Sequence, residues 1–535
     1  HAEPILGILI RMLLSSLLLA TVAQSRDPQI ESLIRRMTQE EKLTMIGGGG
    51  FNIKANKRLK LAGPGFTDGP VGTRNFGPTT AYPAGTTLAA TWNPALARQF
   101  GESMARDALA RGTQVILGPG VNLSRIPQNG RNFEYLGEDP KLCADTAVQI
   151  IEGMQSKGIA ACVKHFAGNE HEDDRNKDST EVDERTLREL YFRPFEAAVK
   201  EANVASVMCS YNLLNGTYTS ANRWLLTDVL RKDWGFKGFT MTDWGAAHDA
   251  KGVFTSGMDL EMPVGDYMNS RNLTPMLREG TISKYELDDK VRHMLVVMKR
   301  FGWLRSLPKA TGPKNSDQNH KVALQIAREG TVLLKNNGVL PLDKSIKHVL
   351  VVGDNASPAM TGGGGSSFTT PIRKVSLLEA IEQEFKGKAE VQFIDTSKRL
   401  IKAFEVTKWD SAGYSLEAFA GRNLEGEPIY KATLPSLIND WNDGGVAPGK
   451  PKDDFSVRLT GKFTAPVTDK YYLVYSNDDG LRLWLDGKLV VDDWKDQGAT
   501  VKSAEIEMTA GQTYDIKVEF YENAGAAVEK VGFLP

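Results

Sequence analysis

Residues 238–246 read Gly-Phe-Thr-Met-Thr-Asp-Trp-Gly-Ala. A short apolar run, bounded by Gly238 and Gly245, carries the carboxylate Asp243 and the large aromatic Trp244 at its exit. In α/β barrels, the loops that leave the C-terminal ends of the strands build the reactive site. This stretch alone leaves two interpretations of Asp243 open: a nucleophile beside an aromatic platform, or a helix N-cap after a strand.

This stretch is one of several strand-like runs that alternate with helical patterns. The apolar runs cover 114–117, 160–166, 205–211, 239–242 and 258–262, and the helical patterns cover 28–46, 139–157, 184–201, 222–233 and 285–301. Such spacing is typical of βα units on a parallel sheet, and the number of units favours a barrel over a small open sheet. We therefore predict an α/β fold with a TIM-like (β/α)8 barrel over residues 27–305.

The chain after the barrel predicts further domains. Residues 306–318 are rich in Pro, Gly, Lys, Asn and Ser and indicate a linker. Residues 319–400 predict the first, incomplete part of an α/β sandwich domain, including a strand over 331–335. Residues 401–535 alternate apolar and polar positions between Asp/Gly turns, which predicts an antiparallel β-sandwich module.

A glycine run at 362–365 follows a predicted strand and invites a phosphate-binding interpretation. The run lacks the Gly-Lys-Ser/Thr and Gly-x-Gly-x-x-Gly patterns that such sites use. We interpret it as a linker, or as a loop that shapes a neighbouring pocket.

The amino-acid composition argues against some classes of binding partner. The net charge of −1 argues against nucleic-acid binding, which needs a basic surface. Cys143, Cys162 and Cys209 are scattered and odd in number, which predicts buried free thiols rather than disulfides or a metal knot. We expect neither a cofactor nor a metal, and nothing in the sequence indicates an oligomeric state.

Residues 1–26 are predicted to be an N-terminal extension. Within it, the apolar segment 12–23 ends in small residues and follows Arg11, which is typical of a secretory signal cleaved after Ala23. A plain apolar helix is the alternative, and the segment is too short to span a membrane. We expect a secreted or periplasmic protein with no membrane span.

Polar side chains cluster where the predicted barrel strands end. Because those ends converge on one face, widely separated residues can share a pocket. Charged groups make the stronger hydrogen bonds to hydroxyl groups, so such a pocket suits a sugar. A phosphate is the main competitor, but Asp68 and Asp243 would repel it. The clustered residues are Asp68, Arg74, Arg131, Lys164, His165, Arg175, Tyr211, Asp243 and Trp244.

Six ordered motifs resemble those of the family 3 glycoside hydrolases, in particular their β-glucosidases. The motifs are Asp68-Gly-Pro-Val-Gly72, Gly130-Arg-Asn-Phe-Glu134, Gly137-Glu-Asp-Pro140, Lys164-His-Phe166, Met208-Cys-Ser-Tyr-Asn212 and Met241-Thr-Asp-Trp-Gly-Ala246. The tail resembles the protective-antigen-type sandwich insert of some of these enzymes. A generic structural β-sandwich is the alternative for the tail.

The resemblance implies a role for each clustered residue. Asp243 would be the nucleophile that forms a covalent glycosyl-enzyme, and Trp244 would offer an apolar face to the sugar. Asp68 would bind the outer hydroxyl groups of the glycone. Arg131, Lys164 and His165 would bind the middle of the ring, and Arg74, Arg175 and Tyr211 would support them. The implied substrates are β-glucosides and oligosaccharides with a terminal β-D-glucosyl residue.

The resemblance also implies an acid/base glutamate, which retaining glycosidases need beside the nucleophile. We find no matching Glu-x-x-x-Asp-Arg run, and we expect this glutamate beyond residue 535. Glu134 belongs to a barrel motif, and we interpret Glu172, Asp173 and Asp174 as a solvated acidic loop rather than a metal site. Two functional alternatives stay open: a β-xylosidase or arabinofuranosidase on the same scaffold, and a catalytically impaired sugar-binding fragment.

Overall fold

The computed structural model describes residues 27–343, 345–442 and 445–535. The predicted secretory signal at 12–23 lies outside these residues. The chain forms two compact units, and Thr361–Lys374 belongs to the first unit with the residues up to Gly338. The second unit comprises Val339–Met360 and Val375–Pro535. Within the described ranges, every helix is too short or too polar to cross a membrane.

The first unit is built around a five-stranded parallel sheet, whose strands lie in sequence order. The strands are β1 (Phe66–Asp68), β2 (Val115–Leu117), β3 (Ala160–Phe166), β4 (Ser206–Cys209) and β5 (Phe239–Met241). Every residue of these strands is buried. Burial on both faces is typical of a parallel sheet that is covered by helices.

Two extended segments close this sheet into a ring. Leu260 forms a parallel bridge with β5. The second extended segment contains Gly48 and Phe51. The Gly48 amide donates to the Glu261 carbonyl over 2.7 Å, and the Phe66 amide of β1 donates to the Phe51 carbonyl over 2.8 Å. Because the ring leaves no open sheet edge among the described residues, the prediction of a TIM-like barrel is confirmed.

Helices surround the ring, and their ends follow the capping residues. Asn93 and Asp139 accept a backbone hydrogen bond at the starts of Pro94–Arg111 and Pro140–Ser156, and each of these helices has proline in its first turn. Other helical segments of this unit are Pro28–Arg36, Gln39–Ile46, Gly85–Ala89, Glu184–Thr186, Leu187–Tyr191, Arg193–Lys200, Trp224–Asp233, Ala250–Ser256, Ser270–Glu279, Lys284–Arg300 and Asp317–Gly330.

Two details differ from the predicted pattern. The helical pattern over 28–46 forms two helices, because Thr38 and Glu41 make a capping box that starts a new helix. The strand predicted over 331–335 is wrong. This segment has no strand partner among the described residues, and Leu334 is 92% exposed.

The second unit contains a small parallel pair of strands, His348–Val352 and Glu390–Ile394, with the helices Leu377–Phe385 and Thr396–Val406. Two antiparallel sheets of six and four strands follow, which confirms the predicted sandwich. Their strands are Tyr414–Ala420, Tyr430–Leu434, Ile438–Asn442, Phe455–Thr464, Asp469–Asp478, Gly480–Leu485, Lys488–Asp493, Thr500–Met508, Thr513–Glu522 and Ala527–Leu534. The inner faces bury an aromatic core in which Phe463 stacks on Phe533 at 4.1 Å.

Candidate active site

The strand ends of the barrel open into a cavity of about 460 Å³. Asp68 is the last residue of β1, Lys164 and His165 lie near the end of β3, and Asp243 follows β5 by two residues. All nine residues selected from the sequence line this cavity. Parallel strands explain the convergence, since their C-terminal ends meet at one face. The catalytic or binding role of each residue stays a prediction.

The Asp243 carboxylate is held by neutral donors. Its Oδ1 accepts hydrogen bonds from the Tyr211 hydroxyl over 3.1 Å and from the Trp244 amide over 2.8 Å. The Tyr211 hydroxyl also lies 3.1 Å from the Trp244 carbonyl oxygen, but a carboxylate is the stronger acceptor. Among the described residues, no group donates a hydrogen bond to Oδ2. Oδ2 is therefore the oxygen free to react.

His165 lies beside Oδ2, with its Nε2 3.6 Å away. Nε2 faces a guanidinium nitrogen of Arg131 at 3.0 Å, and arginine can only donate. Nε2 is therefore an acceptor, and the imidazole proton lies on Nδ1, 3.3 Å from the Tyr135 hydroxyl. Burial, together with the charges of Arg131 and Lys164, holds the pKa of His165 well below its usual value. His165 is neutral and forms no ion pair with Asp243.

The other three carboxylates in the cavity are each paired with an arginine. Glu134 pairs with Arg131, Glu172 pairs with Arg175, and Asp68 lies 3.7 Å from Arg74. Burial raises the pKa of Asp68, while Lys164 and Arg74 oppose that rise. Asp243 is the exception, because its direct partners are a hydroxyl group and an amide. This difference separates the candidate nucleophile from the carboxylates that organise the pocket.

Two family models match this chain. Residues 39–297 match the model of the glycosyl hydrolase family 3 N-terminal domain. The barrel is a family 3 glycosyl hydrolase domain. Residues 410–532 match the PA14 domain model, so the predicted protective-antigen-type module is confirmed.

Relatives of this chain include enzymes named for different sugars. A β-glucosidase from Rhizobium radiobacter is 38% identical over 478 residues, which cover 87% of this chain and 57% of that protein. An exo-α-(1→6)-L-arabinopyranosidase from Bifidobacterium breve is 36% identical over 385 residues, covering 68% of this chain and 50% of the relative. The chain thus spans only about half of the length of these relatives.

A solved structure gives the same fold. The β-glucosidase of Streptomyces venezuelae in complex with D-glucose superposes with a TM-score of 0.69 at 28% identity. The match covers 95% of this chain and 64% of that chain. The family 3 barrel and the sandwich architecture are therefore shared with a glucose-bound relative.

Several pocket residues of the family 3 barrel escaped the sequence analysis. Glu172 was interpreted as part of a solvated loop, but it lines the cavity and pairs with Arg175. The Arg175 guanidinium lies over the Tyr211 ring, 4.3 Å from its centre. The spacing of Glu172 and Arg175, three residues apart, is the signal that was available. Asp173 and Asp174 are exposed, as predicted.

An aromatic pair and a distant segment complete the cavity wall. The Phe51 and Trp244 rings lie 4.9 Å apart, and both line the cavity. Gly363–Ser367 forms another part of the wall. We call Thr361–Lys374 the strap. Because Gly363, Gly364 and Gly365 line the cavity, the prediction that the glycine run shapes a pocket is confirmed.

Cys143, Cys162 and Cys209 are buried and free, as predicted. In the PA14 module, one oxygen from each of Asp478, Asp479 and Glu522 lies within 4.8 Å of the others. Burial and the nearby aspartates raise the pKa of Glu522 to about 8.

Proposed function

We propose that this chain carries the nucleophile and the glycone site of a retaining β-glucosidase that releases terminal β-D-glucosyl residues. The observation that carries the proposal is the asymmetry of Asp243. Oδ1 is anchored by Tyr211 and Trp244, while Oδ2 accepts no hydrogen bond from the residues that the structure describes. An anchored carboxylate with one unbonded oxygen is suited to attack a carbon atom.

In the proposed reaction, Oδ2 of Asp243 bonds to the anomeric carbon while the bond to the leaving oxygen breaks. The leaving group departs with the electron pair. Water then attacks the anomeric carbon while the bond from that carbon to Oδ2 breaks. The water gives its proton to the solvent, and Asp243 leaves as a carboxylate. Two displacements retain the configuration of the sugar. A poor leaving group also needs a proton from a second carboxyl group, whereas a dinitrophenolate does not.

The charges around the cavity support a hydroxyl-rich ligand. Asp68 and Lys164 are almost fully buried, and the Arg131 guanidinium lies beside the neutral His165. Buried charged donors and acceptors with fixed positions discriminate strongly between a ligand that pairs with them and one that does not. The Phe51–Trp244 pair supplies an apolar face for the ring.

Covalent trapping tests this function directly. The chain is incubated with 2,4-dinitrophenyl 2-deoxy-2-fluoro-β-glucoside and analysed by mass spectrometry after proteolysis. We expect a fluoroglucosyl adduct on the peptide that contains Asp243, and none in Asp243→Asn. Glucose binding without any adduct would contradict the proposal and indicate a sugar-binding protein instead.

A pentose-specific enzyme is the second candidate, because relatives include an enzyme named as an arabinopyranosidase. The test compares kcat/KM for dinitrophenyl β-glucoside and β-xyloside, which differ in the C6 hydroxymethyl group. If Asp68 binds that group, Asp68→Ala reduces glucoside hydrolysis more than xyloside hydrolysis. A wild-type preference for the xyloside would favour the second candidate.

We also propose that segment 12–23 directs export, which rests on its apolar run and small terminal residues. Fusion of residues 12–26 to a periplasmic reporter enzyme tests this proposal. A reporter that remains inactive inside the cell would contradict it.

A further inference from the structure

The strap is attached to the barrel by backbone hydrogen bonds. The Thr79 amide donates to the Thr370 carbonyl over 3.0 Å, and the Ile372 amide donates to the Thr79 carbonyl over 2.8 Å. Arg74 adds a bond to the Gly365 carbonyl over 3.3 Å. These bonds hold the strap at the cavity wall.

One strap side chain reaches a buried carboxylate of the barrel. The Ser367 hydroxyl donates a hydrogen bond to Oε2 of Glu134, and both residues are 2% exposed. A hydroxyl group has one proton, and the Gly69 carbonyl is farther away at 3.5 Å, so the carboxylate is the acceptor. Within the part of the chain that the structure describes, Oε2 of Glu134 therefore has its hydrogen-bond donor in the strap.

The other oxygen of Glu134 continues the chain of contacts. Oε1 accepts a hydrogen bond from Nε of Arg131, and a terminal nitrogen of Arg131 donates to Nε2 of His165 over 3.0 Å. Ser367, Glu134, Arg131 and His165 therefore form one buried network, although Ser367 is 233 residues from Glu134 in sequence. Buried networks of this kind fix side-chain orientation when every member has a partner.

We propose that Ser367 is a positioning residue that holds Arg131 and His165 through Glu134. Without the hydroxyl group, Oε2 of Glu134 loses its donor inside the protein, and a buried carboxylate in that state turns toward another partner. Arg131 then moves with Glu134 and withdraws from His165. The consequence for sugar recognition rests on the proposed function, in which this pair binds the middle of the ring.

The test compares wild type and Ser367→Ala on dinitrophenyl β-glucoside and its 3-deoxy analogue. We expect kcat/KM for the glucoside to fall about 10-fold or more, as for loss of a hydrogen bond to a charged group. The loss should be much smaller with the 3-deoxy analogue, because that ring lacks the hydroxyl group that the Arg131–His165 pair would hold. Ser367→Thr keeps the hydroxyl group and should recover most of the activity.

Two strap variants serve as controls. Thr370→Ala removes an exposed hydroxyl group and keeps the backbone bond to Thr79, so activity should stay within about 2-fold. Ser366→Ala removes a second hydroxyl group at the cavity wall, which identifies any direct strap contact to the sugar. An equal loss on both substrates in Ser367→Ala, or no loss at all, would overturn the proposal.

A second measurement needs no turnover. The ¹⁵N chemical shifts of the His165 ring report which nitrogen carries the proton, with His165→Gln providing the assignment. We expect the Nδ1-protonated form in wild type and a mixture of tautomers in Ser367→Ala. Unchanged shifts would overturn the positioning role, even if the chain proves inactive on glucosides. Failure of the proposed function alone would leave the tautomer change intact.

Discussion

The Tyr211 hydroxyl donates a hydrogen bond to Oδ1 of Asp243 over 3.1 Å. Burial and the Asp243 charge raise the pKa of Tyr211 far above its usual value, so the hydroxyl keeps its proton and remains a donor. The bond orients the carboxylate and leaves Oδ2 toward the cavity.

The Tyr211→Phe variant therefore tests whether the Tyr211 hydroxyl group orients the Asp243 carboxylate. We expect kcat/KM for dinitrophenyl β-glucoside to fall about 10- to 100-fold, the usual cost of a hydrogen bond to a charged group. The ring that stacks under Arg175 is kept, so the change reports the hydroxyl group alone. Tyr218→Phe is the control, because the Tyr218 hydroxyl donates to the Asn176 carbonyl outside the cavity lining. Equal activity in both variants would contradict the anchoring role.

The strap requires glycine at position 363. A Cβ atom there would lie 2.4 Å from the Phe133 ring, and Phe133 also lines the cavity. We expect Gly363→Ala to displace the ring and lower kcat/KM about 10-fold or more. Addition of Phe133→Leu should restore part of the activity by making space.

Gly362→Ala is the matched control for that experiment. A Cβ atom at position 362 would meet its nearest neighbour, Phe368, at 3.7 Å, an ordinary van der Waals contact. If Gly363→Ala were as active as this control, the strap would accommodate the added methyl group without a change in the pocket. That result would contradict the requirement for glycine at position 363.

The Phe51–Trp244 pair gives a prediction for substrate binding. Phe51→Ala should raise KM for aryl glucosides about 3- to 10-fold, because aromatic contacts of this type contribute about 0.5–1.5 kcal/mol. Steady-state kinetics with Phe76→Ala as control measures the effect, since Phe76 is 60% exposed and does not line the cavity. A KM that stays constant in Phe51→Ala would remove Phe51 from the binding surface.

Glu529 predicts a pH dependence for the PA14 module. Burial raises the pKa of Glu529 to about 8, although the Asn439 amide donates to Oε2 over 2.5 Å. The pKa of Glu529 is higher in the folded state than in the unfolded state. The protonated Glu529 carboxyl group therefore makes its full contribution to the free energy of unfolding at low pH. This contribution is lost as pH rises through about 8.

Glu529→Gln should remove this dependence. The free energy of unfolding of wild type should fall relative to that of Glu529→Gln as the pH rises. We expect this difference between the two proteins to grow by about 3 kcal/mol between pH 5 and pH 8. Calorimetry of the module's unfolding transition at both pH values measures it, with the exposed Glu507→Gln as control. A constant difference between wild type and Glu529→Gln across this range would refute the assignment.

The sequence predicted nine of the residues that line the pocket. Asp68, Lys164, Tyr211 and Asp243 each stand at or just beyond the end of a strand-like run, and parallel strands bring such positions to one face. The predicted domain boundaries remain predictions. The strand at 331–335 failed because local β propensity supplies no hydrogen-bond partner.

Tertiary structure decided the features that no local pattern encodes. Four carboxylates line the cavity. Only the folded chain pairs three of them with arginines and leaves Oδ2 of Asp243 without a hydrogen-bond donor among the described residues. The proton position on His165 likewise depends on Arg131 and Tyr135, which approach it from other segments.

The sequence by itself predicted the barrel, the sandwich and nine residues of the pocket lining, because hydrophobic periodicity and strand-end positions are local properties. Only the tertiary structure determined which carboxylates pair with arginines and which barrel residue the strap contacts. Ser367 reaches Glu134 across 233 residues, and hydrogen-bond geometry between such distant groups exists only after the backbone has folded.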